Sequence, residues 1–357
     1  MDTVSRRARG HRRTPHRAAK VVGMGHALPA AYSQQSVWDG FFAEHYRDVD
    51  IAEQLFANSG VLTRHAVANP VHEDVSRWGT GARMERYLAE ALPLGKDAVS
   101  AALADAGIAA ADVGLFAVTS CTGYVTPGVD IRLACDLGMS DRVRRLFVGH
   151  MGCYAALPGL GTVADFTVAR ERPSVLLCLE LTSLHVQPPT TDVDQVVAHA
   201  LFADAAAAVV LEPAERPGFE VLDVVARTDV STAEYMTWDV TDLGFRMGLS
   251  PRVPDVLSRH VGDVVDELLT AAGLRIEDVA GWAVHPGGPR ILDVVRDQLG
   301  LAEEQMAASR QVLAEHGNCS SATVLLVLEE LGDVDGPVVA MAFGPGLTLY
   351  AALLLPA

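Results

Sequence analysis

The chain has 357 residues, half of them hydrophobic but only 6% aromatic, with a formal net charge of −17; this is material for one large or two fused globular cores and excludes a disordered protein. Seven of its 28 Lys and Arg fall in the first twenty residues beside one acid, leaving 21 basic against 44 acidic residues in the remainder, a balance that makes the body a poor candidate for binding nucleic acid or an anionic membrane surface. No apolar run approaches the ~18 residues needed to cross a bilayer, and no apolar core follows the leader's Arg pairs as a signal peptide requires, so the expected location is cytoplasmic.

Residues 1–20 read as a solvated, disordered basic tail. Val21 to Leu28 reads as a first strand entering a turn, Ser36 to Tyr46 and Arg83 to Ala91 as helical, and Lys96 to Ala106 as a helix stopped by Gly107. Leu115 to Thr119 is a short apolar strand, followed by a Gly- and Pro-containing loop from Cys121 to Gly128. Cys121, Cys135, Cys153, Cys178 and Cys319 form an odd, scattered set without a CxxC pair, which argues against a disulfide framework and a zinc site. His150 and His199 lack partners at metal-ligand spacing, and Cys135 and Cys178 read as core or near-core thiols; no metal is expected. With only Lys20 and Lys96 in the chain, a Schiff-base mechanism has almost no candidate.

Cys153 stands between a strand-like run, Arg145 to Val148, and a helix-like run from Ala155. The amides and dipole of a helix start favour negative charge, so this thiol is expected to ionise more readily than a free one and to act as a nucleophile. The other reading of the local residues is one more small buried cysteine. His285 in Val284-His285-Pro286-Gly287-Gly288-Pro289 and Asn318 in His316-Gly317-Asn318-Cys319-Ser320-Ser321 favour the nucleophile.

The two halves of the chain overlay. Leu103 to Gly107 meets Leu269 to Gly273, Asp112-Val113 meets Asp278-Val279, and Phe116 to Val118 meets Trp282 to Val284, all displaced by 166 residues. The same displacement carries Cys153 onto Cys319, beside Asn318. Farther on, Pro173 to Leu177 meets Pro337 to Met341 at a slightly shorter displacement. This is an internal duplication. Its alternating helices and doubly apolar strands predict two helix-covered parallel sheets stacked as a five-layer αβαβα body, with halves at residues 21–215 and 216–357. Strand ends and helix starts of the two halves meet in such a fold, within reach of Cys153, His285 and Asn318.

The segments His285 to Pro289, Gly317 to Ser321, Gly344-Pro345-Gly346-Leu347-Thr348, the Met151-Gly152-Cys153 loop and Ala200 to Asp204 resemble the type III polyketide synthases, the chalcone synthase superfamily of the thiolase-like fold, from about Val21 to the C-terminus. Trp238-Asp239-Val240 and Leu249-Ser250-Pro251 resemble the bacterial branch that makes alkylpyrones and alkylresorcinols. The resemblance implies an acyltransferase of secondary metabolism in which Cys153 carries a starter, expected from a fatty acyl-CoA, and extends it with malonyl-CoA by iterative decarboxylative Claisen condensation before ring closure. It implies His285 and Asn318 as the other catalytic pair, Phe202 and Phe245 between the coenzyme A tunnel and the cavity, Ser320 on the cavity wall, a homodimer, and no bound cofactor. The chemistry agrees: His285 can hold a Cys153 thiolate by an ion-pair hydrogen bond, and His285 with the Asn318 amide can hold an enolate oxygen that a carboxylate would repel.

Several positions depart from the plant pattern. Ile51, Gln54 and Asn58 stand where plant enzymes carry cations for the coenzyme A phosphates, leaving Arg64 and Arg290 as candidates and an acyl carrier protein as an alternative starter donor. Met236 replaces a small cavity residue, Thr126 a methionine supplied by the partner subunit, and Cys121 and His185 cavity threonines. Two other readings are open: a single-round condensing enzyme like ketoacyl-carrier-protein synthase III, and an inactive dimeric scaffold.

Overall fold

A computed structural model describes residues 18–213 and 216–356; most of the expected basic tail therefore lies outside the described residues, and Lys20 opens the first strand. The strands are β1 (Lys20–Ala27), β2 (Ala31–Ser33), β3 (Thr63–His65), β4 (Leu115–Ser120), β5 (Arg144–Gly149), β6 (Ser174–Leu181), β7 (Asp204–Glu212), β8 (Phe219–Thr228), β9 (Met236–Thr241), β10 (Gly244–Leu249), β11 (Gly281–Val284), β12 (Val338–Gly344) and β13 (Thr348–Pro356).

Nine of these run in the order β11-β12-β13-β8-β1-β7-β6-β4-β5. The join between β1 and β8 is only two residue pairs, Lys20 with Glu220 and Val21 with Phe219, so the array is two sheets, β5-β4-β6-β7-β1 and β11-β12-β13-β8, touching at one corner. The helix Thr80–Ala106 covers one face of the first sheet, Ala156–Arg170 and Thr323–Leu331 fill the space between the sheets, and Val253–Ala272 with Pro289–Leu299 covers the far face of the second. That gives the five layers, with one apolar core under each outer helix layer and one that the central helices share with both sheets.

The duplication is visible in the pairing: β4 runs parallel to β6 from Leu115 opposite Ser174, and β11 runs parallel to β12 from Gly281 opposite Val338. The helices before them end alike, at Gly107 with φ 63° and Gly273 with φ 73°, the left-handed cap that glycine adopts without a Cβ penalty.

Two expectations need correction. The sheets are mixed, because β7 pairs antiparallel with β6 and β1, and β13 antiparallel with β12 and β8; the turn Pro345–Leu347 is too short for the crossover that a parallel neighbour needs. The two helices read at 83–91 and 96–106 are one of 27 residues that runs through Pro93. Its packing on β1 outweighs the missing hydrogen bond: a Cβ at Gly23 would stand 2.5 Å from the Ala102 carbonyl oxygen, and one at Gly25 2.4 Å from the Ala102 nitrogen.

Candidate active site

Cys153 sits in a 3-10 turn, Gly152–Tyr154, between β5 and the helix Ala156–Arg170. Gly152, at φ 77°, faces Pro345 so closely that an added Cβ would come within 2.6 Å of the proline ring, and one at Gly344 within 3.3 Å of the Cys153 nitrogen. The Gly344-Pro345-Gly346 turn thus braces the Cys153 loop from the second half of the chain.

His285 follows β11, anchored by its amide to the Met341 carbonyl at 2.8 Å, with its ring edge-on to Phe343 at 6.1 Å. Phe343 precedes Gly344, which links His285 to the Cys153 loop. The imidazole is 1% exposed, and neither ring nitrogen has a protein partner. Asn318 is held through its backbone: its amide donates to the Leu201 carbonyl at 2.8 Å and its carbonyl accepts from the Ala203 amide at 3.0 Å. Its side-chain oxygen accepts from the Ser320 amide at 2.9 Å, which turns the NH2 group the other way. The Ser320 hydroxyl, 3.5 Å from Cys121 Sγ, lies beside the Cys153 thiol and lowers its pKa.

Cys121, Phe202, Met236 and Ser320 line the same space as Cys153. His185 and Phe245 lie behind it, their rings stacked at 4.5 Å and 10°. The Phe245 amide donates to His185 Nδ1 at 2.9 Å, so Nε2 carries the proton and donates to the Thr122 carbonyl at 2.7 Å. Thr126 is elsewhere in this chain, in a surface depression with Tyr87, Tyr124 and Phe147.

Arg64 is excluded as a phosphate contact: it is buried, and its guanidinium is spent on the carbonyls of His199 at 2.7 Å, Ala200 at 2.8 Å and Phe202 at 3.2 Å and on the Gln34 side chain. Arg290 is exposed in the first turn of Pro289–Leu299. His199 is the hydrogen-bonded histidine expected, 2.5 Å from the Tyr46 hydroxyl.

Sequence reasoning missed Glu180. This buried carboxyl in β6 accepts from Ser321 Oγ at 2.6 Å, Thr122 Oγ1 at 2.8 Å and the Cys121 amide at 3.0 Å, with Cys121 Sγ at 3.5 Å. A lone acid inside Leu176-Leu177-Cys178-Leu179-Glu180-Leu181 was the available signal, since an unpaired charge in a doubly buried strand must be satisfied by neighbours. Burial raises its pKa above the carboxylate range against those hydrogen bonds.

The thiol also differs from expectation. Burial, with a smaller contribution from Glu180, pushes Cys153 up to about 12 from 9.0, although the Ser320 hydrogen bond pulls it down; burial pushes His285 down to about 3. A shift of that size in the thiol is about 4 kcal/mol, and a helix dipole offers at most ~2 kcal/mol. Cys153 also precedes the first residue of the helix by three positions. At neutral pH burial thus favours a neutral thiol at Cys153 and a neutral imidazole at His285. Alkylation of Cys153 by iodoacetamide in the substrate-free protein, followed by peptide mass, is expected to quicken about tenfold per pH unit from pH 7 to 10. A rate flat over that range would show a preformed ion pair.

Among known proteins, the N-terminal domain of chalcone and stilbene synthases matches residues 6–214 and their C-terminal domain matches residues 225–356. The chain belongs to the chalcone and stilbene synthase family. As a member of this family it is a condensing acyltransferase of the type III polyketide synthase kind. It is 34% identical to the 1,3,6,8-tetrahydroxynaphthalene synthase of Streptomyces peucetius subsp. caesius, covering 99% of this chain and 97% of that one. It is 32% identical to the alpha-pyrone synthesis polyketide synthase-like Pks18 of Mycobacterium tuberculosis, covering 95% and 91%. In structure it superposes on PKS-I of the brown alga Ectocarpus siliculosus with a TM-score of 0.90 at 26% identity, over 95% of this chain and 98% of that one. No helix among the described residues is long and apolar enough to cross a membrane.

Proposed function

We propose that Cys153, His285 and Asn318 form the centre at which this synthase loads an aliphatic acyl-CoA and extends it with malonyl-CoA. The observation that carries this is His285. A fully buried imidazole with neither nitrogen bonded is expensive unless a substrate supplies the partners, and the Asn318 NH2 likewise has no partner among the described residues.

His285 takes the Cys153 proton as the thiolate attacks the starter thioester, and returns it to the departing coenzyme A thiol. Malonyl-CoA then loses its carboxylate as CO2, and the electron pair moves onto the thioester oxygen as an enolate. His285 and the Asn318 NH2 donate to that oxygen. The enolate carbon attacks the Cys153 thioester, forming the C–C bond and releasing the Cys153 thiolate, to which the longer chain returns. Ring closure to a pyrone or resorcinol ends the cycle. Because decarboxylation supplies the carbanion, the reaction needs no cofactor.

A second copy of the chain completes the reading. Tyr124, Ile131 and Phe147 are 65%, 43% and 39% exposed around the open edge of β5, the kind of apolar edge that a partner covers; Thr126, inside this patch, then faces the partner's cavity. The fatty starter can arrive on coenzyme A, with Arg290 at the phosphates, or on an acyl carrier protein, in a cytoplasmic setting.

Incubation with malonyl-CoA and fatty acyl thioesters of both kinds, with mass spectrometry of products, is expected to give pyrones or resorcinols from two or more extensions. Sedimentation is expected at twice the 37.9 kDa chain mass. Products that stop after one extension would indicate a single-round synthase, and none at all from any donor an inactive scaffold.

A further inference from the structure

Past the space that holds Cys153 lies a second cavity, bounded by Val37, Phe42, Val186 and Ala198. Thr182, Phe202, Trp238 and Met247 line both spaces and form the wall between them. Trp238 is the largest of the four and is held from several sides. Its Nε1–H donates to the Cys121 carbonyl at 2.8 Å. Its ring stands edge-on to His185 at 5.5 Å and to Phe245 at 6.1 Å, and tilted over Phe202 at 6.4 Å. Met247 is its cross-strand partner in the β9-β10 hairpin, so the two side chains share one face.

Polar side chains border the second cavity, and apart from the unpartnered Arg64 Nε the main ones make their hydrogen bonds elsewhere. Gln195 donates to the Met247 carbonyl, His199 bonds Tyr46 and the Gln187 amide, and Ser183 bonds Asp204. What remains to face the cavity is mainly hydrocarbon.

We infer that Trp238 is a partition that sets how long an acyl chain on Cys153 can be, and that the cavity behind it is a latent subsite for the aliphatic tail of the starter. This rests on the assignment of Cys153 as the acyl carrier. The indole is the largest group in the wall that the two spaces share, so its removal would open one space into the other.

The test uses the full chain with malonyl-CoA and hexanoyl-, decanoyl- or tetradecanoyl-CoA, with intact-mass detection of the Cys153 adduct. Each methylene moved from water into the joined cavity is worth about fourfold, so Trp238→Ala is expected to raise kcat/KM for tetradecanoyl-CoA relative to hexanoyl-CoA by at least about tenfold over the parent. Trp238→Phe, which keeps a ring but loses the donor, is expected to stay near the parent ratio. A ratio within about twofold of the parent in a Trp238→Ala protein that still acylates Cys153 would overturn the inference. So would a Trp238→Phe shift as large as that of Ala, because the bond to Cys121 rather than filled space would then set the length. Should Trp238→Ala fail to melt cooperatively, Trp238→Leu is read by the same criteria. Absence of any Cys153 adduct in the parent is a distinct failure, that of the acyl-carrier assignment, and the inference falls with it.

Discussion

Cys153→Ala is expected to reduce polyketide formation by at least about 10⁴-fold, the scale seen when a covalent nucleophile is removed, and to abolish the acyl adduct on the protein. The change deletes one sulfur from a side chain that is 7% exposed, so the fold should tolerate it at a cost of about 1 kcal/mol. Decarboxylation offers a sharper readout. The enolate needs only donors on its oxygen, and His285 and Asn318 remain, so release of CO2 and acetyl-CoA from malonyl-CoA should persist within about tenfold. Loss of both activities together would mean that the substitution disturbs the site as a whole, and full retention of product would show the nucleophile to be another thiol. Cys121, beside the same Ser320 hydroxyl at 3.5 Å, is the one to label next.

Asn318→Asp is expected to separate the steps in the opposite sense. The replacement is nearly isosteric, and one carboxylate oxygen can still accept from the Ser320 amide, so the loop should keep its course. The outward NH2 becomes an oxygen that carries negative charge where the enolate charge develops. Removal of one oxyanion donor costs about 10²–10³-fold, and decarboxylation should fall by at least that much while Cys153 still takes up the starter. Burial raises a carboxyl pKa, and position 318 is 2% exposed; as the pH drops through that raised pKa the side chain gains a proton and can donate again. Relative activity of Asn318→Asp is therefore expected to recover towards acid pH. Malonyl-CoA decarboxylation equal to that of the parent at pH 7 would remove Asn318 from the enolate step.

The structure also changes how the thiol is understood. A reactive cysteine at a helix start suggests a stored thiolate, but the surroundings of Cys153 are apolar, enclosed and close to Glu180. A neutral resting pair protects the thiol from adventitious electrophiles. It places the proton transfer in the step where an acyl thioester enters, when the substrate's own dipoles and His285 can share the charge.

Several strands and helices in chain order, the 166-residue repeat and the loops that carry Cys153, His285 and Asn318 were legible in the sequence, because apolar periodicity, glycine stops and short motifs are local properties of the chain. Tertiary structure alone decided that Arg64 is consumed by three backbone carbonyls, that His185 is locked between the Phe245 amide and the Thr122 carbonyl, that Glu180 gathers hydroxyls from both halves, and that Trp238 divides two cavities. Those outcomes depend on which side chains share one enclosed space and on how far burial outweighs a favourable dipole. Both are set by contacts between residues tens to hundreds of positions apart, which no local pattern records.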